Sequence, residues 1–415
     1  MNFREAEAYL YSLGNEVEAM KLGLENIRRL LAALGDPQNN FLKVQVAGTN
    51  GKGSVCAFLD SICQHAQIKT GVFTSPHLIS ITERIRINGV DIGEVEFARL
   101  ATRVRETCES LVERGEVENV PTYFEQVTAI ALVAFAEAKV ELSILETGLG
   151  GRYDAVTAAN AEIAVITRID LDHQQYLGEP IEEIAAEKAA IIRADSRVVI
   201  GEQDDSAMKV ILDRCRDVGV VEAFRSNRRS YDGPNLGLKG LHQLENAHIA
   251  VMVSELLAND CGFAICADNV VEGLENARHA GRLEYIGNFL LDGAHNIGGA
   301  KALAAYLDEF VPGPITLVFG AMRDKDVSEI AAILFPSAAT IILTELSNSR
   351  AMRVGELFRI VPSIVSADEI KLVKNVKDAL SAAQAVTPAN GIILVTGSLY
   401  LVGEVKRVIE ENSRI

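Results

Sequence analysis

A glycine-rich run between a predicted strand and a predicted helix is the first candidate for chemistry. Residues 43–47 (KVQVA) predict a short strand, Gly48–Ser54 (GTNGKGS) follows, and apolar residues from 55 to 62 recur at helical spacing. In this context the glycines turn backbone N–H groups toward a polyphosphate, and the helix N-terminus adds partial positive charge. Lys52 would reach the terminal phosphates, and Ser54 would give its hydroxyl to Mg²⁺.

The run departs from the strict pattern GxxxxGK[ST]. Val46 stands at the position of the first glycine, and Gly53 separates the lysine from the serine. The alternative is a plain glycine turn between strand and helix. Because a lysine and a serine both stand at the helix start, we predict nucleotide binding.

Two further loops carry side chains that bind metals. Glu146 directly follows a predicted strand over 140–145, within the segment LETGLGGR (145–152), and Asp170-Leu171-Asp172-His173 follows a strand over 163–167. Ligands gather at the carboxyl ends of parallel strands, so both loops should face the edge that carries the phosphate loop. We predict Glu146 as a Mg²⁺ ligand and His173 as a ligand of a divalent metal. The alternatives are a carboxylate that caps a strand and a structural histidine.

Lys188 stands out on the helix predicted over 180–192. At i, i+3, i+4 and i+7 spacing it shares the apolar face with Ile181, Ile184 and Ile191. An unpaired ammonium there is costly, so the lysine is paired, reaches the helix edge, or is neutral. A neutral amine also reacts with CO2 to give a carbamate, a carboxylate that binds metal. The residues alone favour a paired lysine.

The C-terminal part of the chain holds a third group of polar residues. His242 and Asn246 begin a predicted helix, and Arg282 and the turn Asp292–Asn296 flank a predicted domain boundary. Clefts at such boundaries are preferred ligand sites. Arg282 offers a planar fork of donors for phosphate or carboxylate, and Asp292 at a strand end would accept ribose hydroxyls. For each residue alone, a helix cap or a surface arginine is an equal alternative.

The elements that must position these residues alternate between strand and helix. This alternation predicts two α/β domains with mostly parallel sheets, as expected for 415 residues. We expect one strand within 281–291, a helix from about 298, and strands over 315–319, 340–344 and 392–396. No internal repeat or low-complexity tract interrupts the pattern.

Composition limits the partners of the chain. With 40 Lys+Arg against 57 Asp+Glu the net charge is −17, which argues against a nucleic-acid surface. Six cysteines without CxxC or zinc-finger spacing favour reduced thiols. The N-terminus lacks an apolar signal segment, and the longest apolar run, 129–136, is too short to span a membrane. We therefore expect a cytoplasmic protein with no nucleic-acid or membrane partner.

Taken together, the motifs resemble the folylpolyglutamate synthase and dihydrofolate synthase family of the Mur ligase superfamily. The resemblance runs from the first helix to the last strand. The segments that carry it are Gly48–Ser54, Thr74–Leu78 (TSPHL), Leu145–Arg152, Asp172-His173, Glu187-Lys188, His242–Asn246 (HQLEN), Gly281-Arg282, Asp292–Asn296 (DGAHN) and Asp324-Lys325-Asp326.

The resemblance implies a P-loop-type ATPase domain over 1–284, a smaller Rossmann-like domain over 285–415 and an active site between them. It also implies a reaction in which ATP phosphorylates a folate-type carboxylate and the amine of L-glutamate displaces the phosphate. Catalytic roles fall to Lys52, His173, Lys188 and His295. ATP is contacted by Asn50, Gly51, Lys52, Gly53, Ser54, Asn246, Arg282 and Asp292. One Mg²⁺ site takes Ser54, Ser75 and Glu146, and a second takes His173. The family's carbamylated lysine falls on Lys188, which overturns the preference for a paired lysine.

The substrate side departs from the family pattern. Where the family shows Leu-Asp-Ala-Thr-Asn after Gly-Arg, residues 153–157 read Tyr-Asp-Ala-Val-Thr, so the choice of acceptor is open between folate and dihydropteroate. The expected substrate residues are Phe124, Arg152, Tyr153, Asp154 and Ala155, with Phe124 at a strand end where it would stack on the pterin ring. The alternatives are a Mur-type ligase with another acceptor and a non-catalytic nucleotide-binding module. We expect a monomer.

Overall fold

The computed structural model describes residues 1–14, 23–220, 222–226 and 235–413. The chain divides into two compact units. The first comprises Met1–Ile169, Gln174–Gly237 and Glu245–Ala277, and the second comprises Asp170–His173, Leu238–Leu244 and Arg278–Ile415. Within the described ranges, no helix is both long and apolar enough to cross a membrane.

The first unit alternates helices with eight strands. Its helices are α1 (Phe3–Ser12), α2 (Glu25–Ala33), α3 (Lys52–His65), α4 (Glu94–Glu113), α5 (Tyr123–Ala138), α6 (Gln174–Leu177), α7 (Ile181–Ala189), α8 (Asp205–Val218), α9 (His242–Asp260, whose first three residues belong to the second unit) and α10 (Ala267–Asn276). Its strands are β1 (Leu42–Ala47), β2 (Thr70–Phe73), β3 (Ile85–Ile87), β4 (Val90–Asp91), β5 (Leu142–Glu146), β6 (Ile163–Ile166), β7 (Arg197–Ile200) and β8 (Ala223–Arg225).

These strands form one sheet in the order β4-β3-β2-β5-β1-β6-β7-β8. The pairs from β2 to β8 are parallel, and β3 and β4 are antiparallel at one edge. The central strands β1, β5 and β6 are buried almost throughout, and β6 (IAVI) is accordingly apolar at every position. Because β2, β5 and β1 are parallel neighbours, the residues that follow them meet at one edge of the sheet.

The second unit contains a six-stranded sheet. Its strands are β9 (Glu284–Ile286), β10 (Phe289–Leu291), β11 (Ile315–Phe319), β12 (Thr340–Thr344), β13 (Ile370–Val373) and β14 (Ile392–Thr396), and its helices are α11 (Ile297–Phe310), α12 (Val327–Leu334), α13 (Val354–Arg359), α14 (Val376–Val386) and α15 (Leu399–Ser413). The order is β13-β12-β11-β14-β10-β9, parallel except for β9.

The prediction of two α/β units with mostly parallel sheets is confirmed, while a boundary between residues 284 and 285 stays a prediction. The prediction of a single strand within 281–291 is wrong. That segment is the antiparallel pair β9-β10, and it turns at Gly287, whose φ of 61° places it in the left-handed region. Gly287, which interrupts the apolar residues of this segment, is therefore the sequence feature that indicates the turn.

Candidate functional site

The phosphate loop of the first unit has a shape that only glycine permits at two positions. Gly48 and Gly51 have φ of 151° and 89°. A Cβ atom at Gly48 would lie 1.9 Å from Oγ1 of Thr167, and one at Gly51 would lie 2.3 Å from Oδ1 of Asn246. Side chains in these places would collide with Thr167 and Asn246, so the loop depends on its glycines for close packing as well as for backbone freedom.

Helix α3 begins inside the loop, with Gly51 as its N-cap. The first turn of this helix contains Lys52, Gly53 and Ser54, and the N-terminal turn of a helix is the arrangement that binds phosphate. On the other side of the loop, the N–H groups of Thr49 and Asn50 donate to the carbonyl oxygen of Arg168 over 2.8 and 3.1 Å. The loop is therefore fixed to the end of the neighbouring strand β6.

Two lysines meet at one carbonyl oxygen of this loop. Lys52 Nζ lies 3.1 Å from the carbonyl oxygen of Gly48 and 3.2 Å from that of Thr49. Lys188 Nζ donates to the same Gly48 oxygen over 2.9 Å from the buried face of α7. The apolar-face position predicted for Lys188 is confirmed, and its side chain is only 5% exposed.

Oxygen donors for a divalent cation lie at the same sheet edge. Glu146 ends β5, and its Oε2 accepts the backbone N–H of Ser75, in the loop after β2, over 3.2 Å. Ser54 stands in the first turn of α3, and Ser54 and Glu146 are 5% and 6% exposed. One carboxylate with hydroxyl groups suits Mg²⁺, which keeps water and phosphate oxygens in its remaining positions. In the part of the chain that the structure describes, no three His, Cys, Asp or Glu side chains group as a metal site by themselves.

Asp154 organises the glycine loop that follows β5. Its Oδ2 accepts the N–H groups of Gly148 and Leu149, each over 3.0 Å, and its Oδ1 accepts that of Val156 over 2.9 Å. The carboxylate is 6% exposed. Asp154 therefore holds the loop in shape, and its direct contact with a substrate stays a prediction.

The other expected substrate residues lie around this loop. Arg152 pairs with Glu187 over 2.7 Å, Tyr153 is exposed, and Ala155 is buried. The ring of Phe124 packs against Gly148, where a Cβ atom would lie 2.7 Å from its Cζ. The placement of Phe124 at a strand end is wrong.

Phe124 instead lies in the first turn of α5, which Thr122 and Glu125 begin with reciprocal side-chain to backbone hydrogen bonds. The segment is helical because the hydrogen bonds of this capping pair outweigh the β-propensity of the aromatic residues beside it. Stacking of Phe124 on a pterin ring stays a prediction.

The second unit contains a separate cluster around Asp172. Lys325 Nζ lies 2.6 Å from Asp172 Oδ1, and Asn296 Nδ2 donates to Oδ2 over 3.2 Å. His295 Nε2 lies 4.0 Å from the same Oδ2, and His173 Nε2 lies 3.3 Å from Lys325 Nζ. The Asp172–Lys325 pair is almost fully buried. This cluster, the Asp172 cluster below, gathers residues from three distant segments of the chain.

The charges of the cluster shift its titrations. Burial would raise the pKa of Asp172, but Lys325, with further contributions from His173 and His295, holds it well below the usual range of a carboxyl. Removal from water and the positive charge of Lys325 lower the pKa of His295 to about 4. Asp172 is therefore charged and His295 neutral at physiological pH, and His295 Nδ1 is held 2.7 Å from the carbonyl oxygen of Gly293.

Arg282 and Asp292 of this unit are close enough for their charges to interact. Asp292 accepts the N–H groups of Leu283 and Ala294, both over 2.9 Å, and burial raises its pKa although Arg282 opposes the shift. The aspartate thus fixes the turn after β10. Contacts of Arg282 and Asp292 with ATP stay predictions.

The structure gathers the expected residues into two groups, one in each unit. The first has the phosphate loop, Ser75, Glu146, Lys188 and Asn246, and the second has His173, His295, Arg282 and Asp292. Two further residues lie with the second group and had no role assigned from sequence, namely Asp172 and Lys325. The available signal for Lys325 was its position between two aspartates, Asp324 and Asp326, shortly after strand β11.

A nucleotide-binding loop on a parallel sheet, with a divalent-metal donor set beside it, defines a nucleotide-dependent α/β enzyme. The model of the Mur ligase middle domain matches residues 46–230, and that of the Mur ligase glutamate ligase domain matches residues 281–399. The chain therefore has a middle domain and a glutamate ligase domain of the Mur ligases, a class of ATP-dependent ligases.

Individual relatives identify the family within this class. A dihydrofolate synthase/folylpolyglutamate synthase of Bacillus subtilis (strain 168) is 32% identical over 98% of both chains. A probable bifunctional folylpolyglutamate synthase/dihydropteroate synthase of Haloferax volcanii is 34% identical over 98% of this chain, which spans half of that relative. The chain belongs to the folylpolyglutamate synthase and dihydrofolate synthase family.

Solved structures agree with this assignment. The folylpolyglutamate synthase of Mycobacterium tuberculosis complexed with ADP has a TM-score of 0.90 at 29% identity over 98% of both chains. A bifunctional folylpolyglutamate synthase/dihydrofolate synthase of Yersinia pestis, complexed with AMPPNP and Mn ion, has a TM-score of 0.85 at 28% identity over 99% of this chain and 98% of that one. The predicted fold class, family and ligase chemistry are confirmed.

Proposed function

We propose that the chain forms an amide between the carboxylate of a folate, or of dihydropteroate, and the amine of L-glutamate at the expense of ATP. The observation that carries this proposal is the phosphate loop with Glu146 and Ser75 beside it at one sheet edge. The names of the relatives support the choice of substrates. A location in the cytoplasm and a monomeric state remain predictions from the sequence.

The first step activates a poor electrophile. A carboxylate oxygen of the acceptor attacks the γ-phosphorus, the bond from that phosphorus to the β-γ bridging oxygen breaks, and ADP leaves. Lys52 and the N–H groups at the start of α3 hold the phosphates in line for this attack. Ser54, Ser75 and Glu146 would hold a Mg²⁺ ion, which supplies positive charge between the anionic reactants.

The second step makes the amide. The amine nitrogen of glutamate attacks the acyl carbon, the C–O bond to phosphate breaks, and inorganic phosphate leaves with the electron pair. The amine must be neutral to attack, so its proton has to be removed. His295 stays neutral at pH 7 and so would accept a hydrogen bond from the amine without adding positive charge, and we assign His173 to a second metal ion. The cation of Lys325 would attract carboxylates and phosphate.

We also propose that Lys188 is carbamylated in the active enzyme. Two ammonium groups that share the Gly48 oxygen are close enough for their charges to repel. Conversion of Lys188 to a carbamate replaces that repulsion with attraction to Lys52. The N–H that remains on the carbamate nitrogen would still donate to Gly48, so the present hydrogen bond would be kept.

Native mass spectrometry in bicarbonate buffer tests the carbamate. We expect a mass increase of one CO2 on the wild-type chain, absent from Lys188→Ala and Lys188→Arg. Short carboxylic acids should restore activity to Lys188→Ala, whose cavity admits them, and not to Lys188→Arg, whose side chain fills it. An unmodified and fully active wild-type enzyme would contradict the assignment.

Product analysis tests the ligase itself. Purified protein is given ATP, Mg²⁺ and L-glutamate with either dihydropteroate or tetrahydrofolate, and amide product and ADP are measured together. We expect stoichiometric ADP and amide with at least one acceptor, and sustained ADP release only with all substrates present.

The other results of this assay are distinct. ADP release at the full rate without glutamate would contradict the two-step ligation. Tight nucleotide binding with no amide from either acceptor would favour a binding module or another acceptor. The two acceptor arms separately report dihydrofolate synthase and folylpolyglutamate synthase activity.

A further inference from the structure

One carboxylate holds the loop that follows β2. Glu83 lies in a short 3₁₀-helix, Ile81–Arg84, and its Oε2 accepts the N–H of Leu78 over 2.8 Å. Its Oε1 accepts the N–H groups of Ile79 and Ser80 over 2.8 and 2.7 Å. Three consecutive backbone donors therefore converge on one side chain. A carboxylate suits this arrangement because its two oxygens together accept more hydrogen bonds than the single oxygen of an amide or a hydroxyl group.

The next residue, Arg84, holds the first half of the same loop. Its Nε donates to His77 Nδ1 over 2.8 Å, and its carbonyl oxygen accepts the N–H of Thr74 over 3.0 Å. A guanidinium only donates, so His77 Nδ1 must accept, and the neutral ring then carries its proton on Nε2. That nitrogen lies 3.3 Å from the hydroxyl of Tyr11 on α1. The loop is thus tied down on both sides of Pro76.

Ser75 lies between these ties. Its backbone N–H donates to Oε2 of Glu146, which places the loop against the carboxylate that would bind the metal. The position of the Ser75 hydroxyl relative to Glu146 is set by the backbone of this loop. Whatever fixes residues 78–80 therefore also limits how Ser75 moves.

We propose that Glu83 is a positioning residue for the divalent metal, which it serves by clamping the loop that carries Ser75. The inference rests on the proposed function in one respect, the assignment of Ser75 and Glu146 to the metal. Glu83 itself binds neither metal nor substrate. Residues that orient metal ligands in this way typically change metal affinity by about 10- to 100-fold when they are replaced.

Electron paramagnetic resonance of Mn²⁺ with the full chain and saturating ADP tests the clamp. Glu83→Gln keeps the size of the side chain but leaves one acceptor oxygen for three donors. We expect its Mn²⁺ affinity to fall about tenfold with ADP affinity in the absence of metal unchanged. Ser75→Ala, which removes a proposed ligand, should weaken Mn²⁺ in the same direction. Glu5→Gln is the matched control, because Glu5 accepts the N–H of Asn2 in the capping box of α1.

The outcomes separate the two proposals. If Ser75→Ala weakens Mn²⁺ binding and Glu83→Gln behaves like Glu5→Gln, the clamp is overturned and the metal assignment stands. If Ser75→Ala binds Mn²⁺ as the wild type does, the metal assignment fails, and the clamp fails with it. If Glu83→Gln does not fold, Glu83→Asp replaces it. This shorter carboxylate cannot span all three donors, so wild-type Mn²⁺ affinity in Glu83→Asp would overturn the clamp.

Discussion

The phosphate loop of the first unit and the Asp172 cluster of the second are built from different parts of the chain. The loop is a contiguous stretch of backbone whose shape depends on Gly48 and Gly51. Its own Lys52, and Lys188 from α7, both donate to the carbonyl oxygen of Gly48. The Asp172 cluster is made of side chains from three distant segments, centred on one buried carboxylate. The loop should therefore be sensitive to added volume, and the cluster to a change of charge.

A methyl group at Gly51 should have the largest effect. Gly51→Ala combines the strain of a positive φ with a clash at Asn246 Oδ1, so the loop must move away from its phosphate-binding shape. We expect ADP affinity, measured by isothermal titration calorimetry, to fall at least about 100-fold, which is about 3 kcal/mol.

Gly35→Ala is the matched control for shape. Gly35 has nearly the same φ, 88° against 89°, but a Cβ atom there meets nothing within 4 Å. It should lower stability by about 1 kcal/mol through backbone strain alone and leave ADP affinity unchanged. Similar losses of ADP affinity in both variants would show that the clash with Asn246 is not the cause.

A neutral side chain at the centre of the Asp172 cluster should have the second-largest effect. Asp172→Asn preserves volume but leaves the buried ammonium of Lys325 without its counter-charge. We expect the kcat for amide formation to fall about 30- to 100-fold while ADP affinity stays at the wild-type value. Steady-state kinetics with calorimetry separates the two quantities.

Asp195→Asn is the control for charge. Asp195 bonds to Arg193 over 2.7 Å at the surface, with 71% of its side chain exposed, and should show wild-type kinetics. A wild-type kcat for Asp172→Asn would mean that the activity does not depend on the charge of the Asp172 cluster. The contrast with the phosphate loop would then be lost.

The same contrast explains what the sequence could predict. The strands 315–319 and 392–396 agree with the prediction to the residue, because buried parallel strands are nearly continuous apolar runs in the sequence. The phosphate loop was predictable because its chemistry lies in consecutive residues between a strand and a helix.

The remaining features depend on distances that periodicity does not contain. Asp172 and Lys325 are 153 positions apart, and only the folded chain shows that they pair. The shared contact of Lys52 and Lys188 with Gly48 is of the same kind, since sequence placed Lys188 on a buried face but not its partner. The β9-β10 turn was missed because short apolar runs do not separate one strand from two.

The pH dependence of stability offers a third and smaller test of the charged cluster. The pKa of His295 is about 4 in the folded chain, below the value near 6.5 of an unfolded histidine. Between these values the unfolded state takes up the proton first. His295 therefore costs no stability above about pH 6.5 and lowers stability progressively as the pH falls from there toward 4.

His295→Gln should remove that component. We expect the loss of stability between about pH 8 and pH 5 to be smaller than in the wild type by about 1–2 kcal/mol, seen as a smaller drop in Tm. The measurement at pH 8, where the histidine is neutral in both states, gives the pH-independent cost of the substitution. Parallel pH profiles for the two proteins would contradict the assigned shift.

The smallest effect is expected for an ion pair in the same loop as Lys325. Arg323 and Glu356 are 2.7 Å apart, close to the 2.6 Å of Lys325 and Asp172, but their side chains are 44% and 39% exposed against about a tenth. Water screens the exposed pair, so Arg323→Ala should leave both the Tm and kcat close to their wild-type values. Differential scanning calorimetry and the amide assay measure both. If kcat fell as much in Arg323→Ala as in Asp172→Asn, the conformation of the loop that carries Lys325, and not the buried charge on Asp172, would determine the activity of this unit.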